Sequence, residues 1–106
     1  MQIKKFSNYT ILSIFSKTDL SSFIFSLSDE SLKKQNLIID LLNLKVSEEW
    51  IFQKLSPFYY IWKKNNQSFI LVSNIDSKEL LKDMIIINSL EEAIDFFNMD
   101  YLTRNI

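Results

Sequence analysis

Two strand-length apolar runs constrain this chain more than any other feature: "NLIIDLL" at residues 36–42 and "SFILVS" at 68–73. A strand alternates its side chains between two faces, and both runs are apolar on both faces. Each therefore needs cover on both sides, as in the middle of a parallel sheet. Around them the apolar period changes. In "SEEWIFQKLSPFYYIWKKNN", Ile51, Leu55, Phe58 or Tyr59, and Trp62 recur at helical spacing, one stripe of an amphipathic helix. Ser47 is placed to cap that helix, with Glu48 and Glu49 favourable in its first turn. Pro57 lies inside the pattern and is expected to kink the helix or split it near Ser56, because it has no N–H and crowds the preceding turn.

The flanking segments extend the alternation. "MQIKKFSNYTILSIF" reads as two short strands joined at Ser7–Asn8, with asparagine supplying a left-handed residue. Leu20, Phe23, Ile24 and Leu27 mark a first helix, with Thr18 or Asp19 as N-cap. Asn65–Gln67 do the stop-and-turn work after the second helix. "DSKELLKDM" reads as a short helix with Asp76 and Glu79 in capping-box spacing, and "IIIN" as a brief strand. The last helix opens on Ser89 and Glu92 at the same spacing and aligns Leu90, Ala93, Ile94, Phe97 and Tyr101 on one face. The expected order is β-β-α-β-α-β-α-β-α. It forms one α/β domain over residues 1–106 with a mainly parallel or mixed sheet.

What the chain lacks narrows its chemistry. It has no cysteine, so no disulfide or thiolate site, and no histidine, the commonest general base and metal ligand. It has no glycine, so no phosphate loop or dinucleotide fingerprint can be built. An enzyme, a metal site and a cofactor are not expected. A net charge of −1 gives no reason to expect nucleic acid. The lysine pairs 33–34 and 63–64 fall at helix ends, where they complement the dipole. No signal peptide opens the chain, and its apolar stretches fall short of the roughly 20 residues that span a bilayer, so a cytoplasmic protein is expected.

The element order, the strand "LIIDLLNL" leading into a helix, the strand "SFILVS" and the ending "SLEEAIDFF" resemble the STAS family. That family comprises anti-sigma-factor antagonists and the cytoplasmic tails of sulphate transporters. The similarity is clearest from Asn36 to about Phe97; the first thirty-five residues agree in arrangement alone. The resemblance implies a small α/β fold with helices mostly on one face of the sheet. It also implies a non-enzymatic interaction module whose partner is another protein, such as a kinase. Antagonist members carry Asp-Ser-Ser-Gly or Asp-Ser-Thr-Gly at the start of the second helix and are phosphorylated on the first hydroxyl residue. An ungapped match from Asp40 places Glu48 at the aspartate, Glu49 at the phosphoacceptor, Trp50 at the second hydroxyl and Ile51 at the glycine. A shift of one or two residues brings Ser47 closer to the acceptor position. The pattern is lost either way, which implies a docking site without phosphorylation switching, built from Ser47, Glu48, Glu49, Trp50 and Gln53. Glu49 is then either a fixed negative charge or an ordinary first-turn acid.

The second helix carries more aromatics than one buried stripe accepts. Phe52, Tyr60 and Trp62 are candidates for a partner or homodimer surface, and Phe96, Met99, Leu102 and Ile106 pose the same question on the last helix. Asp40 is an acid within an apolar run, and its cost is relieved if it accepts backbone N–H groups of the following loop. A structural homodimer and a small-ligand or nucleotide-binding domain remain as alternative functions.

Overall fold

The computed structural model describes residues 1–30, 32–44, 48–74 and 84–104, without the side chains of residues 48–50 and 52. The elements are β1 (Gln2–Lys5), β2 (Thr10–Ser13), α1 (Lys17–Ser26), a 3-10 turn (Leu32–Lys34), β3 (Leu37–Asp40), α2 (Glu48–Lys64), β4 (Phe69–Val72), β5 (Ile85–Ile87) and α3 (Leu90–Arg104). The Ser47 cap and, apart from Met84, the helix expected over 76–84 lie outside the described residues.

The strands form a single sheet in sequential order, β1-β2-β3-β4-β5. β1 pairs antiparallel with β2, and β2 through β5 are parallel. The two doubly apolar runs become β3 and β4, the centre of that sheet. Strand alternation divides their side chains between two cores. Leu37, Ile39, Leu41, Phe69 and Leu71 face α1 and α2; Ile38, Ile70 and Val72 face α3. The layering follows from handedness. Two right-handed crossovers that advance in the same direction, β2 to β3 and β3 to β4, place α1 and α2 on the same face. α3 follows β5 and packs on the other face, against β3, β4 and β5.

The helical stripe of α2 is buried as its spacing predicts. Ile51, Leu55, Tyr59 and Trp62 are inside, and Phe58 is half-buried. Pro57 does not split the helix, which runs unbroken to Lys64. The carbonyl that Pro57 leaves without an intrahelical donor belongs to Gln53. Both residues lie on the exposed face, where water can serve that carbonyl.

Two turn expectations are corrected. The N-cap of α1 is Ser16, not Thr18 or Asp19: its hydroxyl accepts from Asp19 N–H at 3.1 Å, and Asp19 Oδ2 accepts from Phe15 N–H at 3.1 Å. This reciprocal pairing needs an acid three residues after the serine, which fixes Asp19 inside the helix. The β1–β2 turn does without a left-handed residue, since its four-residue loop closes by a bond from Phe6 N–H to Tyr9 O (2.9 Å) and by ring stacking of the same pair at 4.8 Å. Among the described residues the positive φ, 59°, is at Asn66, in the Asn65–Gln67 turn after α2. There the chain reverses without a glycine, and asparagine tolerates αL better than other non-glycine residues. At the start of α3, Ser89 Oγ accepts from Glu92 N–H at 3.1 Å, as the capping-box spacing predicts.

Candidate functional site

Parallel order gives the sheet two unlike poles. β2, β3 and β4 end in register at Ser13, Asp40 and Val72. From this carboxyl pole the chain passes into α1 through the Ser16 cap and towards α2 through the loop after β3. In open α/β sheets, ligands and partners gather at such a pole because the loops there vary without disturbing the core.

The exit from β3 is built by Asp40. Its Oδ1 accepts from Leu42 N–H at 3.0 Å, and Leu44 N–H donates to Leu41 O at 3.1 Å, so an Asx turn runs directly into a second turn. The acid embedded in an apolar strand is thus used as the sequence predicts, organising the loop that follows. Leu41 N–H bonds Val72 O and Ile14 N–H bonds Asp40 O, which anchors the loop's origin to both neighbouring strands. Leu42, 37% exposed, and Asn43 stand at the surface. At the start of α1, Asp19 holds the terminal ammonium of Met1 at 3.0 Å. Its carboxyl is held below its ordinary range by that ammonium first, and then by the Phe15 N–H.

Among the residues singled out from the sequence, Ser47 lies outside the described residues. Positions 48–50 form the first turn of α2, at the carboxyl pole, and 52 and 53 follow in the second. Gln53 is exposed. Tyr60 is half exposed and shares the outward face of α2, but eleven residues of helix put it about 16 Å along the axis from position 49, well away from the pole. Trp62 is a correction. It is fully buried, its Nε1–H donates to Gln35 O at 2.9 Å, and its ring meets Phe69 edge-on at 5.4 Å, so it is a core residue and no part of a surface. It completes the very stripe that Ile51 and Leu55 begin, and burial follows from that register. On α3, Phe96, Met99 and Leu102 are exposed.

The sequence gives no sign of one cluster, at the opposite pole. Arg104 donates to Asn66 O, to Ser68 Oγ at 3.0 Å and to Asn36 Oδ1 at 3.4 Å; Ser68 Oγ in turn donates to Asp100 Oδ2 at 3.2 Å. Asn36, the Asn66–Ser68 turn and the Asp100–Arg104 pair on α3 come from three separate parts of the chain, and no spacing within any one of them signals the meeting of all three. Among the described residues no group of three or more acids could hold a metal, and no helix is long and apolar enough to cross a membrane.

No family model matches the chain, and no curated protein matches it in sequence. Five chains of solved structures do match in fold. One, from Thermotoga maritima, is described as a "putative anti-sigma factor antagonist"; it shares 14% identity and superposes with a TM-score of 0.66 over 89% of this chain and 91% of its own. The chain has a STAS-like fold. The first helical turn at the carboxyl pole holds two glutamates and a tryptophan, Glu48, Glu49 and Trp50.

Proposed function

We propose that this protein is a non-enzymatic, cytoplasmic protein-interaction module that docks a partner protein through the carboxyl pole of its sheet. The observation that carries this reading is the Asx turn at Asp40. It leads the central strand out of the sheet towards the start of α2 and leaves Leu42, Asn43 and Gln53 on the surface. The STAS-like fold supports it, since the solved structure it matches is described as a "putative anti-sigma factor antagonist". Ser47, Glu48, Glu49, Trp50 and Gln53 are the residues proposed to meet the partner.

Docking at this pole is proposed to work without a phosphorylation switch. Position 49 holds a carboxylate, with one charge where a phosphoserine has nearly two and fewer acceptor oxygens. A fixed helix-start charge complements the dipole of α2 whether or not a partner is bound.

A second reading, self-association, is favoured by the exposed row Phe96, Met99 and Leu102 on α3. The version that used Phe52, Tyr60 and Trp62 of α2 loses Trp62 to the core and keeps Tyr60. Capture of a partner from the native cell tests the first reading: Gln53→Arg is expected to abolish capture while leaving the far-ultraviolet spectrum unchanged. Light scattering on the eluting protein separates the second, which predicts a dimer that Met99→Asp converts to a monomer.

A further inference from the structure

The amino pole of the sheet, opposite the proposed docking face, carries a cleft of about 600 Å³. Four segments converge on it: the β1–β2 turn with its flanks (5–10), the approach to β3 (34–36), the turn after α2 (65–67), and Tyr101 and Arg104 near the end of α3. The volume lies within the range of small-ligand sites, but the lining is mostly polar where drug-sized sites are mostly apolar.

Charge decides what such a cleft can hold. Among the described residues no carboxylate lines it, while Lys5, Lys34 and Arg104 do. Arg104 is engaged with Asn66, Ser68 and Asn36 and lies 3.7 Å from Asp100 behind it. Lys5 and Lys34 are exposed, and neither has an ion-pair partner among the described residues. One effect opposes an anion, because α2 and α3 both end here and each helix C-terminus carries about half a negative charge. The last carbonyls of α2 are already occupied: those of Ile61, Trp62 and Lys63 accept from Asn65, Gln67 and Asn66 N–H at 3.1, 2.9 and 3.1 Å. Two partial charges and Asp100 do not cancel three full positive charges, so the cleft attracts anions.

We propose that this cleft binds a small phosphate-bearing anion, with Lys5 and Lys34 as its charge partners and the side-chain amides of Gln35 and Asn65 as neutral donors. The stacked rings of Phe6 and Tyr9, 4.8 Å apart, give the cleft an aromatic wall, and Phe6 is half exposed. That wall suits a phosphate ester carrying a planar ring as well as a free anion. The site is independent of the docking reading, because it lies at the other end of the sheet and shares no residue with it.

Calorimetric titration at low salt with pyrophosphate, and separately with ADP, tests the assignment. Saturable binding is expected, weakened roughly tenfold or more in a Lys5→Ala, Lys34→Ala double variant. A Lys63→Ala, Lys64→Ala double variant, which removes the same charge from the nearby end of α2, is expected to bind like wild type. ADP binding more tightly than pyrophosphate places a ring on the aromatic wall; equal affinities mean that the anion alone is recognised. Absence of saturable binding by both ligands, or equal weakening in the two double variants, overturns the proposal.

Discussion

Trp62 offers the sharpest test of how α2 is held. Replacing it by phenylalanine keeps an aromatic ring in the stripe but removes the Nε1–H that donates to Gln35 O at 2.9 Å. It also shrinks a fully buried side chain packed edge-on against Phe69. A carbonyl left without its donor in a partly buried place costs about 1–3 kcal/mol. Loss of the outer part of the indole removes the equivalent of one or two methylenes and leaves a void, a further cost of about 1–2 kcal/mol. The sum, about 2–5 kcal/mol, is a large share of the 5–15 kcal/mol typical of a domain this size. At about 4 °C per kcal/mol for a chain of this length, Tm should fall by on the order of 10–20 °C. Urea denaturation followed by circular dichroism measures the free energy directly, and an unchanged m-value would keep the comparison between the same two states. Tyr60→Ala, two residues away on the exposed face, should cost less than about 1 kcal/mol. A cost under about 1 kcal/mol for Trp62→Phe, or a Tyr60→Ala as damaging as Trp62→Phe, would refute this placement of the helix.

Two further predictions concern the turns. Asn66, with φ of 59°, should tolerate glycine with little loss, whereas Asn66→Ala should destabilise by about 1 kcal/mol; equal stabilities in denaturant would contradict the left-handed turn. Asp19 has a carboxyl held below its ordinary range by the Met1 ammonium and the Phe15 N–H. A depressed folded-state pKa contributes stability above the unfolded value and loses it as pH falls through the folded one. The stability advantage of wild type over Asp19→Asn should therefore be constant from pH 5 to 7 and disappear at the acid end, below the usual carboxylate range. An advantage that grows on acidification would show the sign to be wrong.

The sheet was legible because its signals are local. Apolarity on both faces marked β3 and β4 as central, and the spacing of Ile51, Leu55 and Trp62 marked the buried side of α2. Asp40 could be read from cost alone, since a carboxylate in an apolar run needs N–H donors nearby, and Leu42 provides one. Features that depend on partners distant in the chain or on the geometry of one turn leave no local signal. Ser16 is the cap because its hydroxyl accepts from Asp19 N–H while the Asp19 carboxylate accepts from Phe15 N–H, so two backbone donors at the helix start are satisfied together. Of the kink or the split that Pro57 predicts, the split does not occur, because the burial of Ile51, Leu55, Tyr59 and Trp62 holds the helix together across it. The position of Trp62 fits both the buried stripe and an aromatic surface, and the packing of Phe69 and the carbonyl of Gln35 decide for the core. The cleft at the amino pole draws on four separated segments, and no pattern within any one of them points to it.

The central claim is that the carboxyl pole, and not the outer face of α3, meets the partner. Once a partner has been captured and purified, its dissociation constant for wild type, Gln53→Arg and Met99→Asp tests that claim most directly. The account predicts that Gln53→Arg weakens binding by roughly tenfold or more, and that Met99→Asp leaves it unchanged. A partner that binds Gln53→Arg as tightly as wild type and loses affinity for Met99→Asp would contradict it.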